Sequence, residues 1–387
     1  MLKNAPLAGL PDDAPTLDQS LGHIIHGAIT AAGGWIGFDT FMSMALYTPG
    51  LGYYASGSAK FGTMPAGVKG EGSDFVTAPE MTPLFGQTLA AQVAQALLAT
   101  GTTQVWEFGA GSGALALQVL GELARLNVAI ERYTIVDVSG SLRARQQQAL
   151  QAFGDTVRWV DELPADMQGV VIGNEVLDAM PVKLLVRTAG AWCERGVAWA
   201  EAPDGGGHPS FAWADRPSPL RPPVEITGPH DYLTEIHPQA EAFIQTLADK
   251  LTRGAAFFID YGFPEAEYYH PQRHMGTVMC HQVHRADANP LHDVGLKDIT
   301  AHVNFTGIAL AGQDAGFEVL GYCTQARFLM NCGLLGKLEN ASFADKAMAQ
   351  KLILEHEMGE LFKVIAFCKG EPWEPIGFAS GDRSHTL

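Results

Sequence analysis

From Thr103 onward, short apolar runs alternate with segments whose apolar residues recur every three to four positions. The runs TQVWEF, RYTIVDV, VRWV and GVVIGNE read as strands, and ALALQVLGELARL and SLRARQQQALQAF between them read as helices. The rhythm resumes later with helix QAEAFIQTLADKL, strand AAFFIDYG, helix FTGIALAGQDAG, strand FEVLGYCTQ, a helical run from about Ala326 to Glu360, and strand FKVIAFCKG. Five parallel-type strands and two late ones predict an α/β fold with a doubly wound, seven-stranded, Rossmann-like sheet. Before Thr100, Leu21, Ile24, Ile25 and Ala28 mark a helix that Gly33 and Gly34 stop. Leu84, Leu89, Val93 and Leu97 mark another. These predict an N-terminal helix-and-loop lobe over 1–100, with a loop at about Ser56 to Ser73 where apolar periodicity vanishes. Residues 101–387 form the sheet domain, interrupted by irregular insertions at about 183–232 and 263–303.

Composition narrows the class. The 387 residues carry 25 Lys+Arg against 42 Asp+Glu, a formal net charge of -17. Such an acidic surface repels phosphate backbones and argues against a nucleic-acid partner, while it would draw in a basic peptide segment. Five scattered cysteines without a CxxC pair suit a reducing compartment and no zinc site. The histidines of the second insertion, among them His270, His274, His281, His284 and His292, read as unrelated imidazoles of a polar loop rather than as a metal cluster. With no apolar run long enough to span a membrane and no apolar leader, the expected setting is cytoplasmic. The Pro-rich stretch at Arg216 to Pro223 is a candidate contact surface for a homo-oligomer.

The segment EFGAGSGA carries the first chemistry. Gly109, Gly111 and Gly113 lie between a strand and a helix, where bare backbone lets a ligand approach the helix amides. With Ala114 the spacing also satisfies the dinucleotide pattern G-x-G-x-x-G/A, so an NAD-dependent oxidoreductase stays open. Glu107 at the strand end would repel pyrophosphate and attract the sulfonium and ammonium of S-adenosylmethionine. Asp137, ending the second strand, can accept ribose hydroxyls in either cofactor. Asp161 and Glu162, after the third strand, are candidates for an adenine amine.

The fourth strand runs into GNEVLDAMP. Asn174, Glu175 and Asp178 cluster at its carboxyl edge, where open α/β sheets bind ligands. Paired carboxylates can grip a guanidinium, which cannot simply be deprotonated, and localise its charge on two nitrogens so that the third becomes nucleophilic. The plainer alternative makes Glu175 a helix cap and Asp178 a surface residue. Methyl displacement needs positioning and a low-water pocket and requires no metal.

The segments ALYTPGLGYY, SDFVTAPEMTPLFG, EFGAGSGAL, NEVLDAMPV, IDYG and KDITAHVNF, in this order, resemble the MidA family. This is the bacterial and mitochondrial group of S-adenosylmethionine-dependent methyltransferases that includes a complex I assembly factor, and the likeness runs from about Ile36 to Gly370. The resemblance implies a class I methyltransferase fold. For the mitochondrial members it also implies symmetric dimethylation of an arginine on a respiratory complex I subunit. By motif match it places the methyl donor on Glu107, Gly109, Gly111, Gly113, Asp137 and Asn174, with Asp74, Phe75, Thr77 and Pro79 closing over it. Glu80, Tyr261 and His284 are implied on the substrate side. Glu175 and Asp178 are candidates to grip the guanidinium, with Asp260 as support or proton acceptor. Ser73 stands where the family has glycine, and His281 where it usually has an aromatic residue. A noncatalytic assembly chaperone that keeps the methyltransferase fold is a further alternative to the enzyme.

Overall fold

The computed structural model describes residues 17–56, 77–137, 140–200, 209–282 and 285–387. Besides the two-residue strand Val303–Asn304, which pairs in parallel with the end of the fifth strand, seven strands build the central sheet: β1 (Gln104–Phe108), β2 (Arg132–Val136), β3 (Val157–Val160), β4 (Met167–Asn174), β5 (Leu251–Phe263), β6 (Glu318–Thr324) and β7 (Phe362–Lys369). They lie side by side in the order β6-β7-β5-β4-β1-β2-β3. Strands β1 to β5 pair in parallel, while β7 runs antiparallel to both β5 and β6. The apolar runs are nearly continuous because helices cover both faces. Val170 and Ile172 point into one core and Val171 into the other, and all three are buried. Helices Leu84–Thr100 and Ala114–Arg125 cover the first face, and Pro238–Lys250 and Phe305–Asp314 cover the second. After β1 the chain winds outward to β2 and β3, then returns to β4 on β1's other side. That reversal opens a crevice at the carboxyl ends of β1 and β4, where such sheets take ligands.

The first insertion is a second sheet, not the irregular segment expected over 183–232. Strands Lys183–Thr188, Ala191–Ala200, Ser210–Pro217 and Tyr232–Ile236, with Ile36–Gly37, pair antiparallel. Ala189 and Gly190 both have positive φ, 49° and 83°, and make the two-residue hairpin between the first two. Most residues of Ala191–Ala200 are half-buried on both faces, so the apolar/polar alternation that reveals a strand is weak. The second insertion contributes the antiparallel strands Met279–Gln282, Arg285–Asp287 and Asp298–Thr300.

The described residues before Thr100 contribute to two cores. Leu21, Ile25, Phe38 and Phe41 join Val182, Leu184, Val197 and Ile299 under the antiparallel sheet. Leu84, Leu89, Val93 and Leu97 join the core of the seven-stranded sheet. The late helical run is also broken, into Gln325–Asn331, Leu334–Glu339 and Phe343–Ile353, with Gly333 at φ 90° between the first two and Ser342 capping the third. Among the described residues, no helix is long and apolar enough to cross a membrane.

Candidate functional site

At the end of β1 the backbone enters the left-handed region three times, at Gly109 (φ 64°), Gly111 (52°) and Gly113 (88°). A side chain at Gly109 would be strained and would put a Cβ 3.2 Å from Val176 Cγ2. Gly113 caps helix Ala114–Arg125, whose first amide, Ala114 N, donates to Ser112 Oγ at 3.3 Å, and the helix N-terminus faces the cavity that Ala114 and Leu115 line. The turn is held from outside. Ser112 Oγ donates to the Glu80 carboxylate, and Gln118 Nε2 donates to the Pro79 carbonyl at 2.7 Å. Gln146 Nε2 donates to the Gly111 carbonyl (2.9 Å) and to Asp137 Oδ2 (2.7 Å), and is itself fixed by Trp159 Nε1 donating to its Oε1 (2.9 Å).

Gly109, Gly111 and Ser112 line a cavity of about 260 Å³ together with Thr77, Pro79, Glu80, Glu107, Asp137, Asn174 and Glu175. Glu107 is only 1% exposed and accepts a 2.6 Å hydrogen bond from Tyr133. Burial, opposed by that hydrogen bond and reinforced by the nearby Asp137, pushes its pKa up to about 8. A cation entering the cavity reverses this penalty, because it supplies the opposite charge that the buried carboxylate lacks.

Beyond β4 the cavity wall turns acidic. Glu175 adopts positive φ (54°), rare for a residue with a side chain, and its amide donates to the Ile259 carbonyl at 2.9 Å. Asn174 Nδ2 donates to Glu175 Oε1 (3.0 Å), while Asn174 Oδ1 is buried with no hydrogen-bond partner, as is Asp178 Oδ1. Burial first and Asp178 second push Glu175 up to about 8, and burial pushes Asp178 up to about 6 against a hydrogen bond from Tyr261. The charges acting on Glu175 and Asp260 are all carboxylates.

Asp260 lies behind this wall and does not line the cavity. Its Oδ2 accepts from the amides of Val176 (3.1 Å), Leu177 (2.9 Å) and Asp178 (3.2 Å), and its Oδ1 accepts from Tyr261 N (2.9 Å). It therefore shapes the loop that presents Glu175 and Asp178, and is not placed to take a proton from a ligand in the cavity. Burial and the neighbouring Asp178 and Glu175 hold it well above the usual carboxylate range against the pull of those amides.

Other expected residues fall differently. Asp161 and Glu162 are exposed and outside the lining, and Asp161 is ion-paired with Arg143. Glu80, expected on the substrate side, holds the glycine turn through Ser112. Tyr261 does not line the cavity; it reaches Asp178 and packs on the His302 and Phe362 rings. Asp74, Phe75 and His284 lie outside the described residues. Sequence reasoning missed Tyr47, Tyr54 and Gln146. The two tyrosines line the cavity from the antiparallel unit, and ALYTPGLGYY, quoted above only for its likeness, was the available signal.

The glycine turn, the buried Glu107, the fixed Asp137 and the unpartnered Asn174 oxygen fit a cationic nucleoside ligand. The comparisons agree. A crystal structure from Burkholderia thailandensis, of a protein bound to S-adenosyl-homocysteine, is 49% identical, with TM-score 0.90 over 99% of this chain and 100% of that one. A second, native structure from the same organism is 48% identical, with TM-score 0.86 over 99% and 100%. The zebrafish mitochondrial protein arginine methyltransferase NDUFAF7 is 26% identical, covering 84% of this chain and 80% of its own. NAD is set aside as the cofactor, since these findings and Glu107 point to S-adenosylmethionine. The model of a family of S-adenosyl-L-methionine-dependent methyltransferases matches residues 88–323, and the chain belongs to that family.

Proposed function

We propose that this methyltransferase acts on an arginine guanidinium nitrogen in a protein substrate. The observation that carries the reading is the pair of carboxylates at the end of β4, Glu175 lining the cofactor cavity and Asp178 buried behind it, with no cation among the described residues acting on either. The name of the curated relatives, protein arginine methyltransferase, supports it at about one-quarter identity. Glu107, the glycine turn, Asp137 and Asn174 would hold the cofactor. When bound, S-adenosylmethionine supplies a methyl group on a sulfonium sulfur that leaves as a neutral thioether. Glu175 and Asp178 grip the guanidinium, concentrate its charge on two nitrogens and leave the third nucleophilic. The methylated nitrogen gives up one proton. Glu175, whose pKa without a bound cation is about 8, is suited to take it near neutral pH. Asp260 acts through the loop it braces. Symmetric dimethylation, and a respiratory complex I subunit as the substrate, are the finer parts of this reading.

Incubation of the full chain with labelled donor and a cell lysate, followed by mass spectrometry, tests it. Label on arginine that Glu175→Gln lowers at least a hundredfold is the expected result. Label on another residue type overturns the arginine reading. No label above the Glu175→Gln control favours a binding role over catalysis.

A further inference from the structure

The inference rests on the arginine reading and concerns what recognises the acceptor. Tyr47 and Tyr54 come from outside the seven-stranded sheet, lie stacked with ring centroids 5.7 Å apart at 22°, and line the cavity. Each hydroxyl has one proton, and in both the proton is committed to an acceptor within the protein. Tyr47 donates to the Ala179 carbonyl at 2.8 Å, and Tyr54 donates to Asp298 Oδ1 at 2.8 Å. A hydroxyl that has spent its proton can only accept from anything else. Asn174, whose amide nitrogen donates to Glu175, adds a side-chain oxygen that is buried and unpartnered. Asp178 Oδ1, also buried and unpartnered, adds another acceptor.

Burial and the charges of Asp298 and Asp178 raise the pKa of both tyrosines far above that of a free phenol, so each keeps its proton at neutral pH. Lys297, next to Asp298 in the chain, directs its ammonium to Asp287 (2.8 Å) and Asp293 (3.9 Å).

We propose that Tyr47 and Tyr54 are specificity-determining residues. With Asn174 Oδ1 and the Glu175 carboxylate, backed by the buried Asp178, they form a wall of acceptors that reads the N–H donors of a guanidinium. Asp298 is the positioning residue that keeps the Tyr54 hydroxyl turned into an acceptor. A guanidinium carries five N–H donors and no acceptor, so it matches such a wall. A urea, the same shape with a carbonyl in place of one nitrogen, sets an acceptor against acceptors. A carboxylate, which has no donor at all, fits worse still.

The test uses butylguanidinium, n-butylurea and butylammonium as probes, titrated into the full chain saturated with S-adenosylhomocysteine. The wild type is expected to bind butylguanidinium at least tenfold tighter than n-butylurea. Tyr47→Phe and Tyr54→Phe are each expected to weaken butylguanidinium roughly tenfold, the range for a hydrogen bond to a charged group. That loss should exceed any loss in S-adenosylhomocysteine affinity by at least fivefold. Asp298→Asn is the sharper variant, because its amide can donate to Tyr54 and turn the hydroxyl proton toward the cavity. It should weaken butylguanidinium more than Tyr54→Phe does, and the double variant should return to the Tyr54→Phe value. A merely structural role for Asp298 predicts no such rescue.

Equal binding by wild type and both phenylalanine variants overturns the proposal while leaving the arginine reading intact. A double variant weaker than Asp298→Asn also overturns it. Wild type that binds n-butylurea as tightly as butylguanidinium overturns both together.

Discussion

At the scale of single residues, Glu107 links cofactor binding to a proton. Free of ligand, its pKa is about 8 because burial outweighs the hydrogen bond from Tyr133, so at pH 7 the carboxyl is mostly protonated. The cationic cofactor lowers that pKa, and binding at pH 7 must then release a proton. Titration calorimetry in two buffers of different ionisation enthalpy should show release approaching one proton at pH 6.5 to 7 and fading above pH 8. Affinity should rise with pH across the same window. Glu107→Gln should bind more weakly and remove this component of the release. Tyr133→Phe removes the hydrogen bond that holds the pKa down, so the window should move to higher pH. Proton uptake on binding would sink the assignment. Glu107 was legible in the sequence because its neighbours in the chain, the strand and the glycines, define its place. Tyr47, Tyr54 and Gln146 were not, because each reaches the site through a fold contact that local spacing does not encode. Asp161 shows the converse. The end of β3 is a reasonable place for a ligand carboxylate, yet here the side chain is exposed and engaged with Arg143.

At the scale of elements, the glycine turn holds its shape through backbone conformations that side chains resist. Gly109→Ala must adopt φ near 64° and meet Val176, which costs about 1–2 kcal/mol for the left-handed residue alone. The expected outcome is a thermal midpoint lowered by about 1–2.5 °C and a larger fractional loss of S-adenosylhomocysteine affinity. Gly121→Ala is the contrasting case. It lies mid-helix in Ala114–Arg125 and exposed, with nothing within 4 Å of an added Cβ. It should be neutral or raise stability by up to ~1 kcal/mol. Equal melting shifts in the two variants would remove the special role of the turn. The same contrast explains which elements the sequence revealed. The seven central strands are apolar on both faces and stand out as runs, and their helices have clear apolar stripes. Ser210–Pro217 is exposed or half-buried along its whole length, so neither rhythm marks it. Its existence follows from pairing with Ala191–Ala200, a long-range fact.

At the scale of the whole molecule, the acceptor cavity is a joint product of two cores. The seven-stranded sheet supplies Glu107, Asp137, Asn174 and Glu175, and the antiparallel unit supplies Tyr47 and Tyr54. The second insertion is tied in where the Ala301 amide donates to the Asp178 carbonyl at 2.9 Å and where Asp298 accepts from Tyr54. The sequence's division into a lobe and a domain does not show this, because the described residues before Thr100 contribute to both cores. The molecule also carries a net charge of -17, which acts on a basic protein substrate long before the carboxylate wall touches it. That attraction is screened over a Debye length of about 10 Å at 0.1 M salt and about 3 Å at 1 M. For an arginine peptide flanked by lysines, raising ionic strength from 0.05 to 0.5 M should therefore raise KM several-fold and change kcat by less than twofold. The same arginine flanked by glutamates should start with a higher KM and lose that disadvantage as salt increases. A KM for the basic peptide that falls with salt would show that the acidic surface plays no part in capture.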